Sequence, residues 1–89
     1  MSFDLDRAWR LDDQVSLRPE TFGALAYHFG NRRLTFLKTR KLLDVVESLE
    51  SEPTGRAACL EAGVSEQELP AYAAALARLA EAGMIGERA

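Results

Sequence analysis

Cysteine is nearly absent: Cys59 stands alone among 89 residues. No internal disulfide can form, so a secreted, disulfide-stapled scaffold is excluded and a reducing, cytoplasmic setting is the expectation. Histidine is equally scarce, with His28 the single example. One histidine and one cysteine, far apart in sequence and with no third partner at a telling spacing, do not make a nucleophile–base pair. Nor is there a His, Cys or carboxylate cluster at metal-ligand spacing, a GxGxxG run or a phosphate-cradling loop. No stretch approaches the roughly 18 apolar residues of a membrane span. Residues 1–10 mix Asp4, Asp6, Arg7 and Arg10 and carry no signal-peptide core. These absences point away from an enzyme and from any bound cofactor or metal, and toward a binding module.

Hydrophobic residues make up 47% and charged residues 28%, a globular balance that excludes a disordered chain. The length fits one domain, and a domain this small buries only about 60–65% of the surface its unfolded chain exposes. The net charge of −3 is unevenly spread. Residues 1–43 carry eight Lys or Arg and five Asp or Glu, whereas residues 44–89 carry three and nine. Arg32, Arg33, Lys38, Arg40 and Lys41 cluster, and no acid interrupts the span between Glu20 and Asp44. This sets a local positive field on an acidic protein.

Residues 1–14 are polar with single apolar points at Phe3, Leu5, Trp9 and Leu11. They form an expected N-terminal arm that docks through Trp9 and Leu11, ahead of a recognition domain over 15–89. Val15–Arg18 alternates apolar and polar, which predicts a short strand that Pro19 ends. Ala24–Phe29 and Arg32–Lys38 are two further strand-like runs around Gly30-Asn31. A two-residue loop with Gly first suits a type II′ hairpin turn, and it sets Tyr27 opposite Leu34 and Leu25 opposite Phe36. That face is the larger and more apolar one and is expected to face the core. The face holding His28, Ala26, Thr35, Ala24 and Leu37 is then expected toward solvent or a partner.

Thr39 has the chemistry of a helix N-cap, and Leu42, Val45, Val46 and Leu49 repeat at helical spacing. A second helix is expected over 55–62, with Gly63 as its left-handed stop. Ser65 and Glu68 have capping-box spacing, but Pro70 argues for one turn at 65–68 and a main helix starting at the proline. Tyr72, Ala73, Leu76, Leu79 and Ala80 make its apolar stripe, and Gly83 ends it. The expected fold is α+β and winged-helix-like: a three-stranded antiparallel sheet, made of a strand and a hairpin, followed by three helices.

Two binding modes follow from this order. The last two helices resemble a helix-turn-helix, but the second starts with Glu66, Gln67 and Glu68, which would repel DNA; no nucleic-acid partner is expected. The strand at 32–38 can be a free sheet edge, open to an incoming peptide strand beside the helix stripe. Ordinary edge protection by Arg32, Arg33 and Lys38, and ordinary core packing by the stripe, remain alternatives.

The run from Leu17 to Val46, with Tyr27-His28-Phe29-Gly30-Asn31-Arg32-Arg33-Leu34 at its centre, resembles the MftB family of mycofactocin-biosynthesis peptide chaperones. So does the terminal Leu79-Ala80-Glu81-Ala82-Gly83-Met84-Ile85. The wider group is that of PqqD-like recognition elements for ribosomally made, modified peptides (RiPPs). The resemblance implies a peptide chaperone that binds the leader of a precursor peptide, MftA, by strand addition. It further implies delivery to a radical S-adenosylmethionine (radical SAM) enzyme, MftC, whose cofactors belong to that enzyme. Carried onto this chain, it places the peptide against Arg32, Arg33, Thr35, Leu37 and Lys38 of the strand and Tyr72, Leu76 and Leu79 of the helix. A free edge also permits a homodimer. The alternatives are a winged-helix DNA-binding protein and a purely structural enzyme-docking subunit.

Overall fold

A computed structural model describes residues 3–88; Met1, Ser2 and Ala89, which open the expected arm and close the expected recognition domain, lie outside the described residues. The alternating segments form β2 (Val15–Glu20), β3 (Gly23–His28) and β4 (Leu34–Leu37), an antiparallel sheet in the order β2-β3-β4. Trp9–Leu11, β1, lies outside that sheet and pairs with the C-terminal Ile85–Glu87, β5, as a second, two-stranded sheet. Along the chain between β4 and β5 come α1 (Arg40–Ser48), a 3-10 turn at Leu49–Ser51, α2 (Gly55–Glu61) and α3 (Leu69–Glu81). The architecture is α+β, as expected, with the β1–β5 pair in addition.

The helix ends follow side-chain chemistry. Thr39 Oγ1 accepts the Leu42 N–H at 3.0 Å, and Thr54 Oγ1 does the same for Ala57 N–H at 3.0 Å. Gly63 has φ 93° and Gly83 φ 77°. After each helix paired 6→1 and 5→2 bonds close the end, Val64 N–H to Cys59 C=O and Gly63 N–H to Leu60 C=O in the first case. The Ser65–Glu68 capping box closes reciprocally as a single turn, and α3 begins at Leu69 with Pro70 in its first turn. Proline there costs no helix hydrogen bond, because the first N–H groups have no partner within the helix.

Three strand expectations are corrected. Pro19 does not end β2: the strand continues to Glu20, and Pro19 pairs with Ala24. The Phe29 N–H donates to Gln14 C=O, so by alternation Gln14, Ser16, Arg18 and Glu20 carry the ladder bonds. Pro19 therefore points its missing N–H away from the sheet. The β3–β4 hairpin keeps the expected register, Tyr27 with Leu34 and Leu25 with Phe36, but its connection is not a two-residue II′ turn. Phe29–Arg32 form a four-residue loop closed by Arg32 N–H to His28 C=O and His28 N–H to Arg33 C=O. The left-handed position is Arg32, φ 62°, and not Gly30. Arg32 thus lies in the loop and Arg33 closes it, and the strand begins at Leu34.

The third correction concerns the face. Ala24, Ala26, His28 and Leu37 are buried, while Tyr27, Phe29, Leu34 and Phe36 are exposed, Phe29 at 61%. The inner face is the one with the smaller side chains. Leu42, Leu43, Val45, Val46, Leu49, Leu76 and Met84 fill the core from the helical layer and the C-terminal segment, so close packing leaves the sheet room for alanines. Gly23 belongs to the same close approach: a Cβ there would lie 2.1 Å from the Leu37 carbonyl oxygen.

Leu5 and Trp9 join the core. Trp9 donates its indole N–H to Asp4 C=O at 2.8 Å and stacks on Phe3 with ring centroids 4.5 Å apart. The carbonyls of Arg7 and Leu5 accept the N–H groups of Gly55 and Arg56, satisfying two donors at the start of α2.

Candidate functional site: a groove beside a free strand edge

β4 has β3 on one side and no strand on the other among the described residues. His28 N–H bonds to Arg33 C=O, so alternation assigns the β3-facing bonds to residues 33, 35 and 37. The N–H and C=O groups of Leu34 and Phe36 therefore point out from the free edge. α3 runs antiparallel beside it and is tied to it at two places. Asn31 Nδ2 donates to Ala82 C=O at 3.1 Å, and the hydroxyls of Thr39 and Tyr72 lie 3.3 Å apart.

Between these ties lies a groove of about 210 Å³. Residues 35–39 and Leu42 form one wall and Ala71, Tyr72, Ala75, Arg78 and Leu79 the other. The α3 residues fall at i, i+1, i+4, i+7 and i+8, one helical face. Alanine at 71 and 75 leaves the space open, Leu37, Leu42 and Leu79 give a buried apolar floor, and Lys38 and Arg78 supply positive charge with no lining acid. Such a site suits an extended, largely apolar segment with acidic character, held by main-chain hydrogen bonds and side-chain pockets.

The expected site residues divide accordingly. Thr35, Leu37, Lys38, Tyr72 and Leu79 come together around the groove. Leu37 and Leu79 do so from the core, at 1% and 3% exposure. Leu76 is fully buried away from the lining, and Arg32 and Arg33 are exposed at the hairpin loop, outside it. Ala75 and Arg78 were discoverable by stepping Tyr72 along a helical period. Thr39 and Leu42 became lining only through the turn that brings α1 under β4.

His28 and Cys59 are structural. His28 Nδ1 accepts the N–H groups of Gly30 and Asn31 at 3.0 and 3.1 Å. Its lone pair is occupied, so the ring proton sits on Nε2, 3.4 Å from Asp12 Oδ1. Cys59 is buried, and burial pushes its thiol pKa up, the opposite of an activated nucleophile. Among the described residues no group of His, Cys, Asp and Glu could hold a metal ion, and no helix is long and apolar enough to cross a membrane.

No solved structure matches the chain. The model of the Peptide chaperone MftB family matches residues 8–86. A peptide chaperone MftB of Mycobacterium ulcerans is 54% identical over 84 residues, 94% of this chain and 77% of that protein. That of Mycobacterium tuberculosis is 51% identical over 86 residues, 97% and 79% of the two chains. That of Mycolicibacterium smegmatis is 47% identical over 85 residues, 96% and 83%. These relatives are named as chaperones and not as enzymes, and none of the comparisons supports the DNA-binding alternative. With the match spanning both sheets and all three helices, the chain belongs to the peptide chaperone MftB family.

Proposed function

We propose that this protein binds the leader of an MftA-like precursor peptide as an added strand on β4 and carries it to an MftC-like radical SAM maturase. The observation that carries the reading is the free β4 edge with an apolar-floored groove at its side. The leader pairs through the outward groups of Leu34 and Phe36, so the main-chain bonds are independent of leader side chains. Every second leader residue drops into the groove between Thr35 and Tyr72. Lys38 and Arg78 attract acidic leader residues and raise the association rate more than the affinity.

The chemistry belongs to the maturase. The chaperone contributes proximity: holding leader and enzyme together converts the encounter of the peptide's reacting end with the active site into an intramolecular event. Moderate affinity serves this role, because the modified peptide must leave. The test is calorimetric titration with a synthetic leader peptide, comparing the native protein with Tyr72→Glu. Stoichiometric binding weakened at least tenfold by the substitution is expected. Absence of binding at high micromolar peptide, or equal binding by the variant, would defeat the groove reading. Leu37 is unsuitable for this test because its side chain is part of the core.

A further inference from the structure

The face of the β2–β3–β4 sheet turned away from the helices is not covered by any part of the described chain. Leu25 and Tyr27 of β3 stand beside Phe36 and Leu34 of β4 on that face. Phe22 joins at one end, its ring 6.1 Å from Phe36, and Phe29 at the other, edge-on to Tyr27 at 5.2 Å. Phe22, Tyr27, Phe29, Leu34 and Phe36 are each at least 36% exposed. They form one continuous patch and not scattered apolar residues, which is the signature of an interaction surface. Aromatic centres with arginine nearby are also the composition of protein–protein interface cores.

The rim says what kind of partner fits. Arg18 continues this face by strand alternation, Arg32 and Arg33 stand at the hairpin loop at one end, and Arg40 opens α1 at the other. Among the described residues, Arg32, Arg33 and Arg40 make no ion pair. No acid occurs between Glu20 and Asp44, and Glu20 is paired with Arg18 at 3.1 Å. A second copy docking by its own patch would set these cations against themselves across a two-fold axis. A single-stranded nucleic acid needs ring faces open for stacking, but here Tyr27 and Phe29 meet edge to face and Phe22 and Phe36 are tilted together.

We propose that this outer sheet face is a second docking surface, taking a folded protein whose contact patch has an apolar centre and an acidic rim. Resting on the delivery reading above, that protein is the maturase. The leader then occupies the edge and groove while the enzyme covers the adjoining face, so both can be held at once. This is the geometry that proximity transfer requires.

The experiment titrates the native protein, Phe22→Ser/Phe29→Ser and Arg32→Glu/Arg33→Glu with two probes, the MftC-like maturase and the synthetic leader. Both pairs are solvent-exposed, and thermal unfolding checks that the variants fold. The apolar double variant is expected to bind maturase at least tenfold more weakly and leader within twofold of native. The charge variant is expected to lose maturase affinity at low salt and to flatten its salt dependence. Tyr72→Glu gives the reverse pattern, losing leader and keeping maturase. Native maturase affinity in the apolar variant, or an equal loss of leader, overturns the proposal. So does a native dimer that this variant makes monomeric, or binding of poly-dT that it abolishes; these assign the face to a second copy or to nucleic acid. Failure of the native protein to bind leader sinks the delivery reading alone, since the maturase titration still decides the surface.

Discussion

His28 holds the β3–β4 loop with one nitrogen. Its Nδ1 gathers two backbone N–H groups of the loop, and its Nε2 lies 3.4 Å from Asp12 Oδ1. Removing an acceptor leaves donors to find other partners at a cost of roughly 1–3 kcal/mol. His28→Ala is therefore expected to lower stability by about 1–3 kcal/mol in urea unfolding. His28→Asn, whose side-chain oxygen can accept from the same loop, should recover part of it. Equal losses in the two variants would show that packing and not the hydrogen bonds matters. The residue was visible in the sequence, but its position was not. The outward-facing expectation for His28 followed from assigning the bulkier face to the core.

Glu68 is the other informative single residue. The Ser65 N–H and the Lys41 ammonium hold its carboxyl below the ordinary glutamate value of 4.5. Arg56 likewise holds Asp6 below its ordinary 3.8. A depressed folded-state pKa adds stability above the unfolded value, and the contribution is lost as pH falls through the folded one. Stability should therefore drop as pH falls below about 4.5. The drop in melting temperature between neutral pH and pH ~3 should be smaller in Glu68→Gln, which keeps a capping-box acceptor. An unchanged drop would contradict the assignment.

At the scale of elements, local chemistry was legible and facing was not. The Thr39 cap, the glycine stops at 63 and 83, and the one-turn capping box before Pro70 each depend on neighbours within about five residues. The hairpin register was legible for the same reason: any symmetric loop about Gly30-Asn31 pairs Tyr27 with Leu34. Which face turns inward depends on how much volume the helical layer already supplies, and no local pattern encodes that. Strand β1 was hidden differently. Three residues alternate too briefly to announce a strand, and the partner, Glu87 opposite Trp9, is at the far end of the chain. Trp9 makes this pairing testable. Its ring is 8% exposed, stacked on Phe3 and in van der Waals reach of Gly55. Trp9→Ala is expected to cost about 3–5 kcal/mol by urea denaturation, and a loss below about 1 kcal/mol would show that the N-terminal segment merely rests on the surface.

For the whole molecule, the two sheets do different things. The β1–β5 pair joins the N- and C-terminal segments and packs Leu5, Trp9 and Ile85 into the core. That leaves the larger sheet with one inner face packed, one outer face bare and, among the described residues, no strand beyond either edge, of which the β4 edge is the one that borders the groove. An open edge is ordinarily a hazard for self-association. Here the edge is short, tied to α3 at Asn31 and Tyr72, and flanked by Lys38 and Arg78. These features restrain unspecific pairing and leave room for one matching strand. The sequence pointed to the edge and to half of the groove, since Thr35, Lys38 and Tyr72 lie on regular strand and helix periods. It could not show that alanines at 71 and 75 open the space.

Amide hydrogen exchange followed by NMR, with and without saturating leader peptide, tests strand addition most directly. The account predicts that the Leu34 and Phe36 amides, which point from the free edge, become protected on binding, while those of Thr35 and Leu37, already bonded to β3, change little. Leader binding that leaves Leu34 and Phe36 exchanging as before would contradict it, and would move the peptide off the β4 edge.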